Sequence, residues 1–185
     1  MSNEKFKDKP ILKFVHTADL HLGSPFQSMN QYDSKTASKL SAATYDAFNK
    51  IIDLCIDERV DFLLISGDIY DGKDRNIKAQ LAFRNGLNRL SQQGIKSFIV
   101  HGNHDPLSFW SKKLKLPEET IRFSSDKPEK YIYKSKEGNP IAYIVGASFD
   151  NTKNATNAVE MFPEKDKEWP FTIGEQLKTW LRFLS

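Results

Sequence analysis

Apolar and polar positions divide the first hundred residues into alternating blocks. Ile11 to Thr17 carries Leu12, Phe14 and Val15 and reads as a strand. From Asp33 to Arg59 the apolar positions Ala37, Leu40, Ala47, Phe48, Ile51, Ile52 and Cys55 recur every three or four residues. That is the period of an amphipathic helix, and Asp33 or Ser34 stands where a cap is needed. Phe62 to Ile65 is a short, continuous apolar run, as expected of a strand buried on both faces of a parallel sheet. Asp74 is placed to cap a second helix reaching about Gln93, and Gly94 stands where a helix end takes a left-handed residue. Ser97 to Val100 reads as a third strand. The order strand, helix, strand, helix, strand predicts an α/β fold, with a parallel sheet covered by helices.

Beyond Pro106 the pattern is fainter. Tyr131 to Lys134 and Ile141 to Val145 read as a strand pair around the turn-forming Gly138-Asn139-Pro140. Asn151 to Lys167 is polar and reads as loop. Phe171 to Ile173 opens a further strand, and Glu175 to Leu184 reads as a short amphipathic helix. Residues 1–10 are polar and charged and read as a flexible lead-in.

A length of 185 residues suits one domain with a substantial core. Charged residues make up 28%, and the formal charge is only +3, so composition argues against disorder and does not by itself mark a nucleic-acid binder. The single cysteine, Cys55, leaves no internal disulfide and suits a cytoplasmic location. No stretch is apolar enough to span a bilayer, so no membrane partner is expected.

The candidate chemistry sits where the three strands end. Asp19 and His21 follow the first strand, Gly67 and Asp68 the second, and Gly102-Asn103-His104-Asp105 the third. The carboxyl ends of parallel strands lie along one edge, where open α/β sheets place their ligand sites. Residues from Asp19 to His104 should therefore converge. Carboxylate, imidazole and amide donors suit divalent ions such as Mn²⁺, Fe²⁺ or Zn²⁺. Gly67 and Gly102 allow sharp exits from the strands and leave room for a ligand. Taken singly, Asp-x-His, Gly-Asp and Asn-His-Asp are ordinary loop and turn chemistry; the case rests on their conjunction. His16 and His101 read as structural strand residues.

Asp19-Leu20-His21-Leu22-Gly23, Gly67-Asp68-Ile69-Tyr70-Asp71 and Gly102-Asn103-His104-Asp105 resemble the first three motifs of the calcineurin-like metallophosphoesterases. The Leu-Gly after His21, the Ile-Tyr-Asp after Asp68 and Ser24-Pro25-Phe26 resemble the SbcD-type DNA-repair exonuclease branch. The resemblance covers about residues 11 to 150. It implies a sheet core with flanking helices, an α-β-β-α sandwich, and a two-metal centre. In such a centre two divalent ions clamp the phosphate and acidify a bound water. By the same resemblance Asp19 and His21 hold one metal, Asp68 bridges both, and Asn103 holds the second. His104 lies near the scissile phosphate as proton donor or transition-state stabiliser. The implied partners are DNA, a coiled-coil ATPase of the SbcC type and a second copy of the chain, with Mn²⁺ as the leading metal and Fe or Zn as alternatives.

The family pattern also needs metal-ligand histidines in its second half, two of them in a Gly-His-x-His motif. All four histidines here are His16, His21, His101 and His104. The stretch Phe171 to Gly174 resembles the strand leading to the next ligand histidine, but Glu175-Gln176-Leu177 follows, with Glu175 a substitute carboxylate at best. These features set the expected organisation: a partial nuclease domain over 11–174, then a divergent or truncated tail over 175–185, with weak metal binding and little activity in the chain by itself. Lys73, Arg75, Lys112, Lys113 and Lys115 are candidate phosphate contacts, though for each one singly solvated surface is the stronger reading. Two further functions share the motifs or the gap: a phosphoprotein phosphatase or small-molecule phosphodiesterase, and a non-catalytic DNA- or partner-binding fragment.

Overall fold

Among the described residues, two four-stranded sheets are stacked face to face, with two helices on the outer face of the first. The structure, a computed structural model, describes residues 11–24, 34–71, 76–106, 115–135, 137–149, 171–175 and 182–183. The first sheet comes from β1 (Phe14–Ala18), α1 (Ser34–Asp57), β2 (Phe62–Ser66), α2 (Ile77–Gln92), β3 (Lys96–Val100) and β4 (Thr120–Arg122). Its strands lie in chain order and all run parallel, with Phe14 opposite Phe62 and Phe62 opposite Lys96. Right-handed crossovers that step in one direction place both helices on the same side of a sheet. Accordingly, Phe48, Ile52 and Cys55 of α1 and Phe83, Leu87 and Leu90 of α2 bury against Leu63, Ile65 and Ile99.

The opposite face meets a second sheet of β5 (Glu129–Lys134), β6 (Pro140–Gly146), β7 (Phe171–Glu175) and β8 (Arg182–Phe183). Phe62, Leu64, Phe98 and Val100 from the first sheet interlock with Phe123, Ile144 and Ile173. Phe98 stacks on Phe123 and meets Phe62 and Tyr131 edge-on. All five residues of β2 are buried, as the expectation of a two-sided strand requires. Helix, sheet and sheet are thus three layers of the expected sandwich; a fourth, helical layer is not among the described residues. Nor is any described helix long and apolar enough to cross a membrane.

Several boundaries differ from the sequence pattern for local reasons. β1 begins at Phe14 instead of Ile11, because the Lys13 backbone is taken by Asp61: Lys13 N–H donates to Asp61 Oδ2 at 2.7 Å, and Asp61 N–H donates to the Lys13 carbonyl at 2.7 Å. Ile11 is left exposed. α1 stops at Asp57, and Arg59 takes a left-handed φ of 48° while the Val60 N–H donates to the Cys55 carbonyl. The cap of α2 is Asn76, whose Oδ1 accepts the Ala79 N–H at 2.7 Å; Asp74, the expected cap, lies outside the described residues. Gly94 has the left-handed φ of +71° that its position demands.

The strand pair around Gly138 is present as β5 and β6, antiparallel, with Tyr131 opposite Ile144. The expected helix over Glu175 to Leu184 is a correction. Glu175 closes β7, and Arg182–Phe183 pairs antiparallel with Ile173 and Gly174. At these two ends the edge of β7 offers backbone partners that a marginal short helix lacks; the positions between them lie outside the described residues. β4, absent from the sequence reading, is three residues long and only partly buried.

Candidate metal centre

The first two strands continue past their last ladder residues as a pair of loops. Asp19 N–H donates to the Gly67 carbonyl at 3.3 Å, His21 N–H to Asp68 at 3.0 Å and Leu22 N–H to Ile69 at 2.9 Å. The loops are therefore held side by side, in the same order as the strands that feed them. Within them the backbone is strained: Asp19, His21 and Asp68 have φ of 52°, 42° and 49°. Left-handed conformations are uncommon outside glycine and cost about 1–3 kcal/mol where the surroundings impose them. All three strained residues are expected metal ligands.

The result is a compact donor set. One side-chain donor from each of Asp19, His21 and Asp68 lies within 4.8 Å of the others. Two carboxylates and one imidazole fit a divalent cation in number and kind. The ion would also balance two negative charges that the fold holds close together. Asp19 is exposed, His21 half-buried and Asp68 buried, so the group opens to solvent on one side.

The third loop closes on the second. His104 N–H donates to Asp68 Oδ1 at 3.1 Å, and the His104 ring meets the His21 ring edge-on at 5.6 Å between centroids. Asn103 precedes His104 on this loop and is exposed. Gly102 has no side chain because there is no room for one. A Cβ there would lie 2.0 Å from Asp68 Oδ1 and 2.6 Å from Asp68 N. The space that this glycine was expected to leave for a ligand is filled by the carboxylate of Asp68.

Electrostatics at Asp68 are dominated by burial, which pushes its carboxyl above the ordinary range. The His104 N–H and the His104 and His21 rings pull the other way, while the charge of Asp105 adds to the rise. Removal of that penalty by a cation is a direct electrostatic reason for the site to favour one.

Three residues that carried no role in the sequence reading join the site. Asp71 Oδ1 lies 3.3 Å from His104 Nδ1, and its Oδ2 accepts from the Ser24 hydroxyl at 3.1 Å. Asp105 is wholly buried beneath Asp68 and Gly102. The Gly67-Asp68-x-x-Asp71 and His104-Asp105 spacings were visible, but only the folded loops reveal which partners they meet. His16 lies within β1, whereas His101 lies one position past the end of β3, and neither is in the donor group. His16 Nε2 pairs with Ser66 Oγ at 2.7 Å, and His101 is buried, where loss of solvent pushes its imidazole below the usual range despite Asp105 nearby. Among the basic candidates, Lys115 is exposed; Lys73, Arg75, Lys112 and Lys113 lie outside the described residues, as do Pro25 and Phe26.

The calcineurin-like phosphoesterase family model matches residues 12–182. An uncharacterized metallophosphoesterase, YhaO of Bacillus subtilis, is 34% identical over 163 residues, which is 88% of this chain and 40% of that protein. The DNA double-strand break repair protein Mre11 of Methanococcus maripaludis is 31% identical over 94 residues, 51% of this chain and 23% of its own length. Its Thermoplasma acidophilum counterpart is 32% identical over 91 residues, 49% and 22% respectively. Among solved structures, a dimetal phosphatase from Danio rerio aligns with a TM-score of 0.45 at 16% identity, covering 83% of this chain and 51% of that one. The chain thus spans well under half the length of these curated relatives. With its parallel sheet and a family match over residues 12–182, the chain belongs to the calcineurin-like phosphoesterases.

Proposed function

We propose that this chain carries one side of a two-metal phosphodiesterase centre that acts on DNA. The observation that carries the reading is the approach of Asp19, His21 and Asp68 donors to within 4.8 Å at the ends of adjacent parallel strands. Asp19 and His21 would hold one ion, Asp68 would be shared, and Asn103 would contribute to the second. When bound, the ions supply charge neutralisation at the phosphate and an acidified water. Mn²⁺ suits the oxygen-rich, thiolate-free donors, with Fe²⁺ and Zn²⁺ as alternatives.

His104 is the residue for the scissile phosphate. Its main chain is fixed to Asp68 and its Nδ1 faces the Asp71 carboxylate. With Nδ1 carrying a proton toward Asp71, Nε2 is the atom left to donate to the departing oxygen, and Asp71 balances the charge of the imidazolium. DNA is favoured as substrate by the likeness to repair nucleases over half the chain and by the residues flanking His21 and Asp68. A coiled-coil ATPase of the SbcC type and a second copy of this chain are the partners that the same likeness suggests.

Because no histidine follows His104 in this sequence, we expect weak metal binding and slow turnover from these 185 residues. The same fact supports a second reading, a DNA- or partner-binding module without turnover. The test is hydrolysis of a labelled DNA duplex, a nucleotide diester and a phosphopeptide with Mn²⁺, beside Asp68→Ala and His104→Ala. Slow DNA cleavage lost in both variants supports the proposal. Preference for the phosphopeptide or the small diester replaces the substrate, and DNA binding with no cleavage favours the module.

A further inference from the structure

We propose that Asp105 is a positioning residue that sets the metal-facing geometry of Asp68 by clamping the second and third loops together; the inference rests on Asp68 being a metal ligand. Asp105 Oδ1 accepts two backbone hydrogen bonds, from Asp68 N–H at 3.0 Å and from Gly102 N–H at 2.9 Å. One oxygen therefore ties the residue that bears the shared carboxylate to the glycine against which that carboxylate packs. The other oxygen, Oδ2, lies 3.4 Å from His101 Nδ1. The carboxylate is wholly buried and is not part of the Asp19, His21 and Asp68 donor group. It acts on that group only through the backbone.

The clamp is itself anchored in the loop that follows β6 and at the end of β4. His101 N–H donates to Ser148 Oγ at 3.0 Å, Ser148 Oγ donates to the Phe123 carbonyl at 2.6 Å, and Phe149 N–H donates to the His101 carbonyl at 2.9 Å. Interactions from the loop after β6 thus reach Asp68 through His101 and Asp105. The left-handed φ of Asp68 needs such outside support. Removal of the acceptor would leave two N–H groups unsatisfied in a buried place and free the loop to relax.

The test is Mn²⁺ binding to the full 185-residue chain, read from the free-ion paramagnetic resonance signal, for wild type, Asp68→Asn, Asp105→Ala and Asp105→Asn. Circular dichroism of each metal-free variant reports folding. Groups that orient metal ligands typically contribute about 10- to 100-fold in affinity. That loss is expected for Asp105→Ala, with its fold retained. The amide oxygen of Asp105→Asn can accept the same two bonds, so this variant should stay within roughly fivefold of wild type. Wild-type affinity in Asp105→Ala overturns the proposal. So does an Asp105→Asn as weak as Asp105→Ala, since charge and not position would then be the cause. If Asp105→Ala does not fold, Asp105→Asn decides alone. Near-native affinity with exchange-protected Asp68 and Gly102 amides supports the clamp, and a loss of about tenfold or more refutes it. Failure of wild type to bind, or native binding by Asp68→Asn, would instead overturn the metal centre and the clamp with it.

Discussion

His104 N–H and Asp68 Oδ1 are joined at 3.1 Å across 36 positions of sequence. The residue proposed to meet the phosphate is thus hung on the carboxylate proposed to be shared between ions. Side chain and main chain of His104 have separate tasks, and substitutions separate them.

His104→Ala keeps the N–H and should keep metal binding, whereas Asp68→Ala should lose it. The measurement is the Mn²⁺-induced rise in melting temperature. At ten times the dissociation constant, binding adds about 1.4 kcal/mol, or about 3–6 °C for a chain of this size. The shift should persist in His104→Ala and vanish in Asp68→Ala. An undiminished shift in Asp68→Ala would remove that residue from the metal site.

Two glycine substitutions should separate site from scaffold. Gly102→Ala forces a Cβ onto Asp68 backbone and carboxylate. It should cost about 1–3 kcal/mol and abolish the Mn²⁺ response. Gly94→Ala meets no atom within 4 Å but imposes an alanine on a φ of +71°. It should cost about 1–2 kcal/mol and leave the Mn²⁺ response intact. Urea unfolding with and without the ion measures both.

The interface between the sheets depends on Phe98, fully buried and in contact with Phe62, Phe123 and Tyr131. Phe98→Ala should cost about 3–5 kcal/mol in urea unfolding. A cost below about 1 kcal/mol would mean that the sheets do not share this core.

Alkali should weaken the fold through Cys55 and Tyr133. Burial pushes the Cys55 thiol up to about 11 from 9.0, and burial with the Asp61 carboxylate beside it pushes the Tyr133 phenol above its ordinary range. Both groups are neutral in the folded chain and ionise more readily once unfolded. Stability from the thiol is thus fully present below pH 9.0 and is lost as pH rises through about 11, above which the folded and unfolded thiols bind protons alike. Unfolding free energy should fall between about pH 9 and 11, less steeply in Cys55→Ala. At pH 8 Cys55 should react with a thiol-specific disulfide reagent only after denaturant is added.

Much of this was legible in the chain because periodicity and burial coincide from Phe14 to Val100. The β2 run is apolar throughout since both its faces are covered, and the α1 stripe matches Phe48, Ile52 and Cys55 on one face. The convergence of Asp19, His21 and Asp68 was legible because parallel strands all end on one edge. Thr120–Arg122 was not, being too short and too exposed to leave a pattern. The strand at Arg182–Phe183 was hidden because its partner, the edge of β7, is a property of the sheet and not of the local sequence. Asp71 and Asp105 were visible as letters but not as roles. Their function lies in which N–H or imidazole reaches them after folding, and those partners are up to 37 positions away.

The parallel order of the first sheet also bears on how the site comes into being. Every pairing from β1 to β4 joins segments separated by a helix or a long connection, so no ligand loop can find its neighbour by local contact. Such non-local topologies fold slowly, since loop entropy must be lost before contacts form. We expect the donor group to be a late product of folding. An ion that needs Asp19, His21 and Asp68 together has little to hold in the transition state, and its stabilisation acts by slowing escape from the native state and not by hastening arrival.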